Sequence, residues 1–122
     1  MSDWVVEYDI DFAGEFRDLA LQVRQAIASV ALLLETRGPQ LGRPHADTLK
    51  GSKHPNMKEL RLSADGGEWR VAYAFDAKRK AILLVAGDKA GVAEARFYKA
   101  LIRKADFRFD RHVEFLRTNG SD

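Results

Sequence analysis

Phe12, Phe16, Leu19, Val23, Ile27, Val30 and Leu34 recur at steps of four, three, four, four, three and four residues. Only an α-helix brings such a series onto one side. The N-terminal part of the chain must therefore be helical, amphipathic and packed against an apolar surface. Asp9 or Asp11 can cap this helix, because a short carboxylate there accepts a hydrogen bond from an orphan amide. Gly38 followed by Pro39 ends it. The stripe predicts one long kinked helix or two helices in a hairpin, preceded by a short β-favouring run from Trp4 to Tyr8.

Three strand candidates follow. Met57 to Ser63 and Glu68 to Asp76 flank Ala64-Asp65-Gly66-Gly67, a glycine-rich hairpin connection. Lys80 to Gly87 is a continuous apolar run, the mark of a strand buried on both faces. From about Val92 a second stripe, Tyr98, Leu101, Ala105, Phe109, His112 and Leu116, predicts a C-terminal helix interrupted near Asp106. Gly38 to Asn56 holds all three prolines and reads as a loop. The order implies an α+β fold: a small, mainly antiparallel sheet packed on one face by the helices. The 122 residues fit a single domain, 1–122.

The chain has no cysteine, which excludes disulfide scaffolds, zinc ribbons and thiol catalysis. His45, His54 and His112 show no metal-ligand spacing, so no metal or cofactor is expected. Met1 to Trp4 shows no basic stretch leading into an apolar one, and no apolar run approaches membrane-spanning length. The expected location is the cytoplasm, without membrane contact. Positive charge gathers locally. Arg43 to Arg61 carries five basic residues against two acids, and Asp88 to Arg111 seven against four. Such excesses suit a polyanion-binding face as well as an ordinary solvated surface.

Alternation along the strands places Trp69, Val71, Tyr73 and Phe75 on one side of the second strand, and Arg70, Ala72 and Ala74 on the other. Leu60 and Leu62 likewise oppose Glu59, Arg61 and Ser63. The face with Arg61 and Arg70 among small residues predicts a shallow cationic concavity, since a guanidinium fork can hold two phosphate oxygens at once. The same arginines could instead solvate an open sheet face or pair with Glu59 and Asp88. Gly87-Asp88-Lys89-Ala90-Gly91 puts Lys89 at the sheet rim; it lacks the P-loop spacing.

The ordered segments LGRP (41–44), DTLKGS (47–52), KELR (58–61), WRVAY (69–73), ILLVAGDK (82–89) and RFYKALIRKAD (96–106) resemble the RelE/ParE superfamily of type II toxin–antitoxin toxins, in its HigB-like, phage-derived branch. The resemblance runs from Val5 to about Leu116. It implies a RelE-like fold and a ribosome-dependent, metal-independent endoribonuclease. In that reaction the 2′-hydroxyl of mRNA attacks the adjacent phosphate and translation stops. It also implies a helix-turn-helix (HigA-like) antitoxin as partner, beside the ribosome and mRNA. Carried over residue by residue, Arg70 matches the arginine on the scissile phosphate, Arg61 a second basic position, and Lys89 the basic residue after the last strand. Lys50, Lys53, His54 and Lys58 fall in the region that supplies proton-transfer groups, where the loop does not align residue by residue. Tyr98 stands for the C-terminal tyrosine, about one helical turn late. Lys50, Lys58, Arg96 and Lys99 are the expected RNA-binding residues. Two other functions fit the same superfamily: a ParE-like gyrase inhibitor, and an inactive relative that keeps only antitoxin contact. The nuclease reading requires at least three of Arg61, Arg70, Lys89, His54 and Tyr98 to converge on one phosphate.

Overall fold

In the computed structural model, which describes residues 4–119, the chain opens with strand β1 (Val5–Tyr8). The N-terminal apolar stripe then breaks once. It is carried by two helices, α1 (Ile10–Arg17) and α2 (Leu21–Arg37). Of the two candidate caps, Asp9 serves: its carboxylate accepts hydrogen bonds from the amides of Asp11 and Phe12 at 3.0 and 3.2 Å. The stripe stays in phase across the break because both helices lie on the same sheet face, where Phe12, Val23, Ile27, Val30 and Leu34 are buried together.

The segment expected to be a loop holds more structure than its prolines suggest. After a 3-10 turn at Gly38–Gln40 comes a three-residue strand, β2 (Ala46–Thr48). It pairs antiparallel with β3 (Lys58–Ala64), placing Asp47 opposite Glu59. Three residues are too few for alternation to announce a strand; main-chain pairing with its neighbour makes it one. β3, β4 (Gly67–Phe75) and β5 (Lys80–Asp88) form the expected antiparallel meander. β1 joins β5 in parallel, and the sheet order is β1-β5-β4-β3-β2.

Helices cover both faces of this sheet, which corrects the one-faced arrangement read from the sequence. α1 and α2 pack on Leu60, Leu62, Val71, Tyr73, Ala81 and Leu83. α3 (Glu94–Thr118) packs on the opposite face, setting Phe97, Leu101, Ala105 and Phe109 against Ala72, Ala74, Ile82 and Leu84. Small Ala72 and Ala74 do not leave a concavity; they make room for a helix. α3 also runs unbroken through Asp106, whose carboxylate accepts a hydrogen bond from the Ser52 hydroxyl. Among the described residues, no helix is long and apolar enough to cross a membrane.

Charged side chains fasten α3 to the N-terminal elements. Arg108, only 7% exposed, donates to both carboxylate oxygens of Glu15 at 2.9 and 2.6 Å, and to the Leu84 carbonyl at 2.9 Å. Arg111 bridges Asp9 and Asp11, and His112 reaches Asp76 at 2.7 Å. The Arg108 hydrogen bond holds the Glu15 carboxyl below its ordinary value of 4.5. Solvent screens part of that attraction at a half-exposed carboxylate. The lost hydrogen bonds and the stranded Leu84 carbonyl therefore set the expected cost of Arg108→Ala, about 2 kcal/mol at neutral pH. Because the Glu15 pKa is lowered on folding, its contribution is full above 4.5 and fades as pH falls through the folded value. Urea unfolding should show the gap between wild type and Arg108→Ala narrowing as pH drops below that point.

Candidate functional site

Arg61 and Arg70 are direct partners across β3 and β4. Like charges facing each other in an antiparallel pair repel, so the arrangement needs counter-charge. Glu59, two residues before Arg61 and on the same face, supplies it. Glu59 is only 4% exposed; it accepts a hydrogen bond from Arg61 at 2.9 Å and another from the Tyr98 hydroxyl at 2.9 Å. Arg70 is 5% exposed, donates from Nη1 to the Trp69 carbonyl at 3.0 Å, and lies 3.9 Å from the Glu68 carboxylate. Its Nε has no hydrogen-bond partner among the described residues. A buried, charged donor without an acceptor is costly to maintain.

Tyr98 reaches this cluster because α3 starts beside the end of β5. Gly87, the Cα partner of Arg70, permits the approach: a Cβ there would lie 2.9 Å from the Phe97 ring. Burial raises the Tyr98 phenol pKa, its hydrogen bond to Glu59 raises it further, and the Arg70 guanidinium pulls the other way. Lys89 lies at the same corner, its Nζ 5.7 Å from the centre of the Tyr98 ring and 3.1 Å from Glu94.

Two open hollows flank Arg61. One, of about 620 Å³, is bounded by Arg61, Ser63, Glu68 and Arg70, by Arg43, Pro44 and His45, and by Ala26, Ser29 and Val30 of α2. The other, of about 630 Å³, is bounded by Glu59, Arg61 and Tyr98, by Arg43, Asp47 and Lys50, and by Glu94. Of the cations expected here, the structure thus gathers Arg61, Arg70 and Lys89 around Tyr98, with Lys50 in the second hollow. Lys99 is exposed on α3 next to Tyr98. Lys58, half-buried at the start of β3, pairs with Tyr73 on the α1–α2 face, opposite to Glu59 and Arg61, which corrects its expected place among the RNA-binding residues. Arg96 lines a different, apolar groove with Val85, Ala86 and Gly87.

His54 and Lys53 do not join the cluster, which corrects their expected catalytic placement. His54 Nε2 meets Asp110 at 2.7 Å, and Lys53 forms an ion pair with the same carboxylate. Asp110 lies twelve residues beyond Tyr98, about 18 Å along the axis of α3. Both side chains clasp the loop before β3 to the far half of that helix. Glu59 was visible in the sequence only as a possible counter-ion for Arg61, and its link to Tyr98 depends on α3 covering that face. Arg43, in a loop, gave no periodic signal. Among the described residues, no group of three or more histidines and carboxylates converges as a metal site requires.

A family model described as phage-derived protein Gp49-like (DUF891) matches residues 14–110. Two proteins of Mycobacterium tuberculosis (strain ATCC 25618 / H37Rv), provisionally named toxins HigB2 and HigB3, are similar in sequence. The first is 48% identical over 82 residues, covering 66% of this chain and 40% of that protein. The second is 49% identical over 88 residues, covering 70% and 75%. The chain thus spans less than half the length of the first and three-quarters of the second. The structure of E. coli toxin RelE, a double arginine-to-alanine mutant in the free state, shares the fold with a TM-score of 0.59. That match covers 85% of this chain and 97% of that one at 18% identity.

The hydrogen bond between Tyr98 and Glu59 can be read by titration. Glu59→Gln should lower the pKa of one tyrosine in an ultraviolet phenolate titration, with Tyr98→Phe identifying which one. An unmoved tyrosine would show that the bond does not form in solution.

Proposed function

The chain belongs to the phage-derived Gp49-like family, and from that premise we propose that it is the toxin of a type II toxin–antitoxin pair, a metal-independent endoribonuclease that cuts mRNA on the ribosome. The observation that carries this reading is the facing pair Arg61 and Arg70, with a phenol and a carboxylate at the same spot. The reaction needs cations on the phosphate, an acceptor for the 2′-hydroxyl proton and a donor for the leaving oxygen. The guanidiniums of Arg61 and Arg70, facing each other across β3 and β4, are suited to the phosphate oxygens. Glu59 takes the 2′-hydroxyl proton as the 2′-oxygen bonds to phosphorus. Tyr98, whose raised pKa keeps its proton in place at neutral pH, donates it as the bond from phosphorus to the 5′-oxygen breaks. The products are a 2′,3′-cyclic phosphate and a 5′-hydroxyl. The hydrogen bond between Tyr98 and Glu59 then returns the proton and resets the pair. Lys89 adds positive charge beside the phenol. Lys50, in the second hollow, and Lys99, exposed on α3, would hold neighbouring phosphates. Cytoplasmic ribosomes supply the substrate, and a helix-turn-helix antitoxin is the neutralising partner.

One observation favours a second reading, an inactive relative that retains only antitoxin contact. Each rim cation already has a nearby carboxylate: Glu59 for Arg61, Glu68 for Arg70 and Glu94 for Lys89. A single experiment separates the readings. The protein is co-expressed with its antitoxin, purified free of it and added to translating ribosomes. Cleaved message with 5′-hydroxyl ends is expected, reduced at least about a hundredfold by Arg70→Ala and by a similar factor in Tyr98→Phe, with unchanged circular dichroism. Intact message from the folded wild-type protein would favour the inactive relative. Gyrase inhibition that survives Arg70→Ala would instead assign the ParE-like function.

A further inference from the structure

Arg43 and Arg61 line both hollows, yet only Arg61 is used by the reaction above. The hollows differ in charge. The one beside α2 sets three guanidiniums, Arg43, Arg61 and Arg70, against the single carboxylate of Glu68. The other sets Arg43, Arg61 and Lys50 against Asp47, Glu59 and Glu94, and is neutral. Arg70 lines the first hollow and not the second. That hollow, about 620 Å³, is of a size that encloses whole small organic molecules rather than a lone anion. Its remaining wall is apolar at Ala26, Val30 and Pro44. His45 there makes no side-chain hydrogen bond with the described residues, leaving its ring free to stack on a base.

We propose that this hollow is a second nucleotide subsite for single-stranded RNA, in which Arg43 holds the phosphate next to the one between Arg61 and Arg70. The identity of the polymer rests on the nuclease reading; the subsite itself rests on the charge and shape of the hollow. Arg43 is free to act this way. Its side chain is 70% exposed, and its present partner, Asp47, is a surface ion pair within the same turn of chain. Such pairs contribute little and exchange readily.

The test uses two uncleavable 2′-O-methyl oligonucleotides, a dinucleotide with one phosphate and a trinucleotide with two, in NMR titrations at several salt concentrations. Arg43→Ala should weaken the trinucleotide about fivefold and reduce its salt slope by about 0.7, while leaving the dinucleotide unchanged. Asp47→Asn, which releases Arg43, should tighten the trinucleotide. Equal weakening of both ligands by Arg43→Ala, or weakening of neither, would overturn the subsite. The nuclease reading is judged separately on ribosomes. Cleavage without the Arg43-dependent increment removes the subsite alone; the increment in a protein that cuts nothing upholds the subsite and removes the nuclease.

Discussion

Two guanidiniums held face to face across an antiparallel pair are the constraint around which this molecule is arranged. Left alone, Arg61 and Arg70 would repel each other and weaken the β3–β4 ladder. Glu59 relieves Arg61, and it can do so from within the same strand because alternation returns it to the same face two residues earlier. Arg70 is relieved less completely. It is buried beneath the start of α3 with one nitrogen unsatisfied, and the surrounding packing keeps it there. The protein thus carries a local cost at one corner of the sheet, offset by two hydrophobic layers elsewhere, as sites built for binding commonly do.

Compensation by near neighbours recurs around that corner. Arg43 is paired with Asp47, Arg61 with Glu59 and Lys89 with Glu94, each acid lying within five residues of its cation. These are short-range pairs, and only Glu59 is deeply buried. An incoming polyanion therefore meets cations that are already positioned and exchanges one set of oxygens for another, rather than ordering long side chains from solvent.

The sequence made the helical stripe, the hairpin, the buried run of β5 and the facing arginines legible, because each follows from a period or from a glycine-rich turn. What it hid follows from contacts between distant elements. Ala72 and Ala74 looked like the floor of an open concavity; only the position of α3 shows that they are small so that Phe97, Leu101 and Ala105 can fit. His54 falls in the region from which the resemblance draws proton-transfer groups, but Asp110, on a helix 56 residues later, claims it. The break between α1 and α2 left no mark in the apolar spacing, since both helices face the same layer. β2 was too short to show alternation at all.

The joining of β1 and α1 to β5 and α3 also bears on when the site can form. β1 finds its parallel partner only in β5, with Val5 beside Lys80. Asp9 and Glu15 meet their arginines only at Arg111 and Arg108. Contacts of that sequence separation form slowly and late. During synthesis, β1 and α1 must wait for β5 and α3 to emerge before these contacts can close. Tyr98 likewise cannot meet Glu59 until α3 has docked. A stretch that stops short of α3 therefore holds the facing arginines but not the finished site.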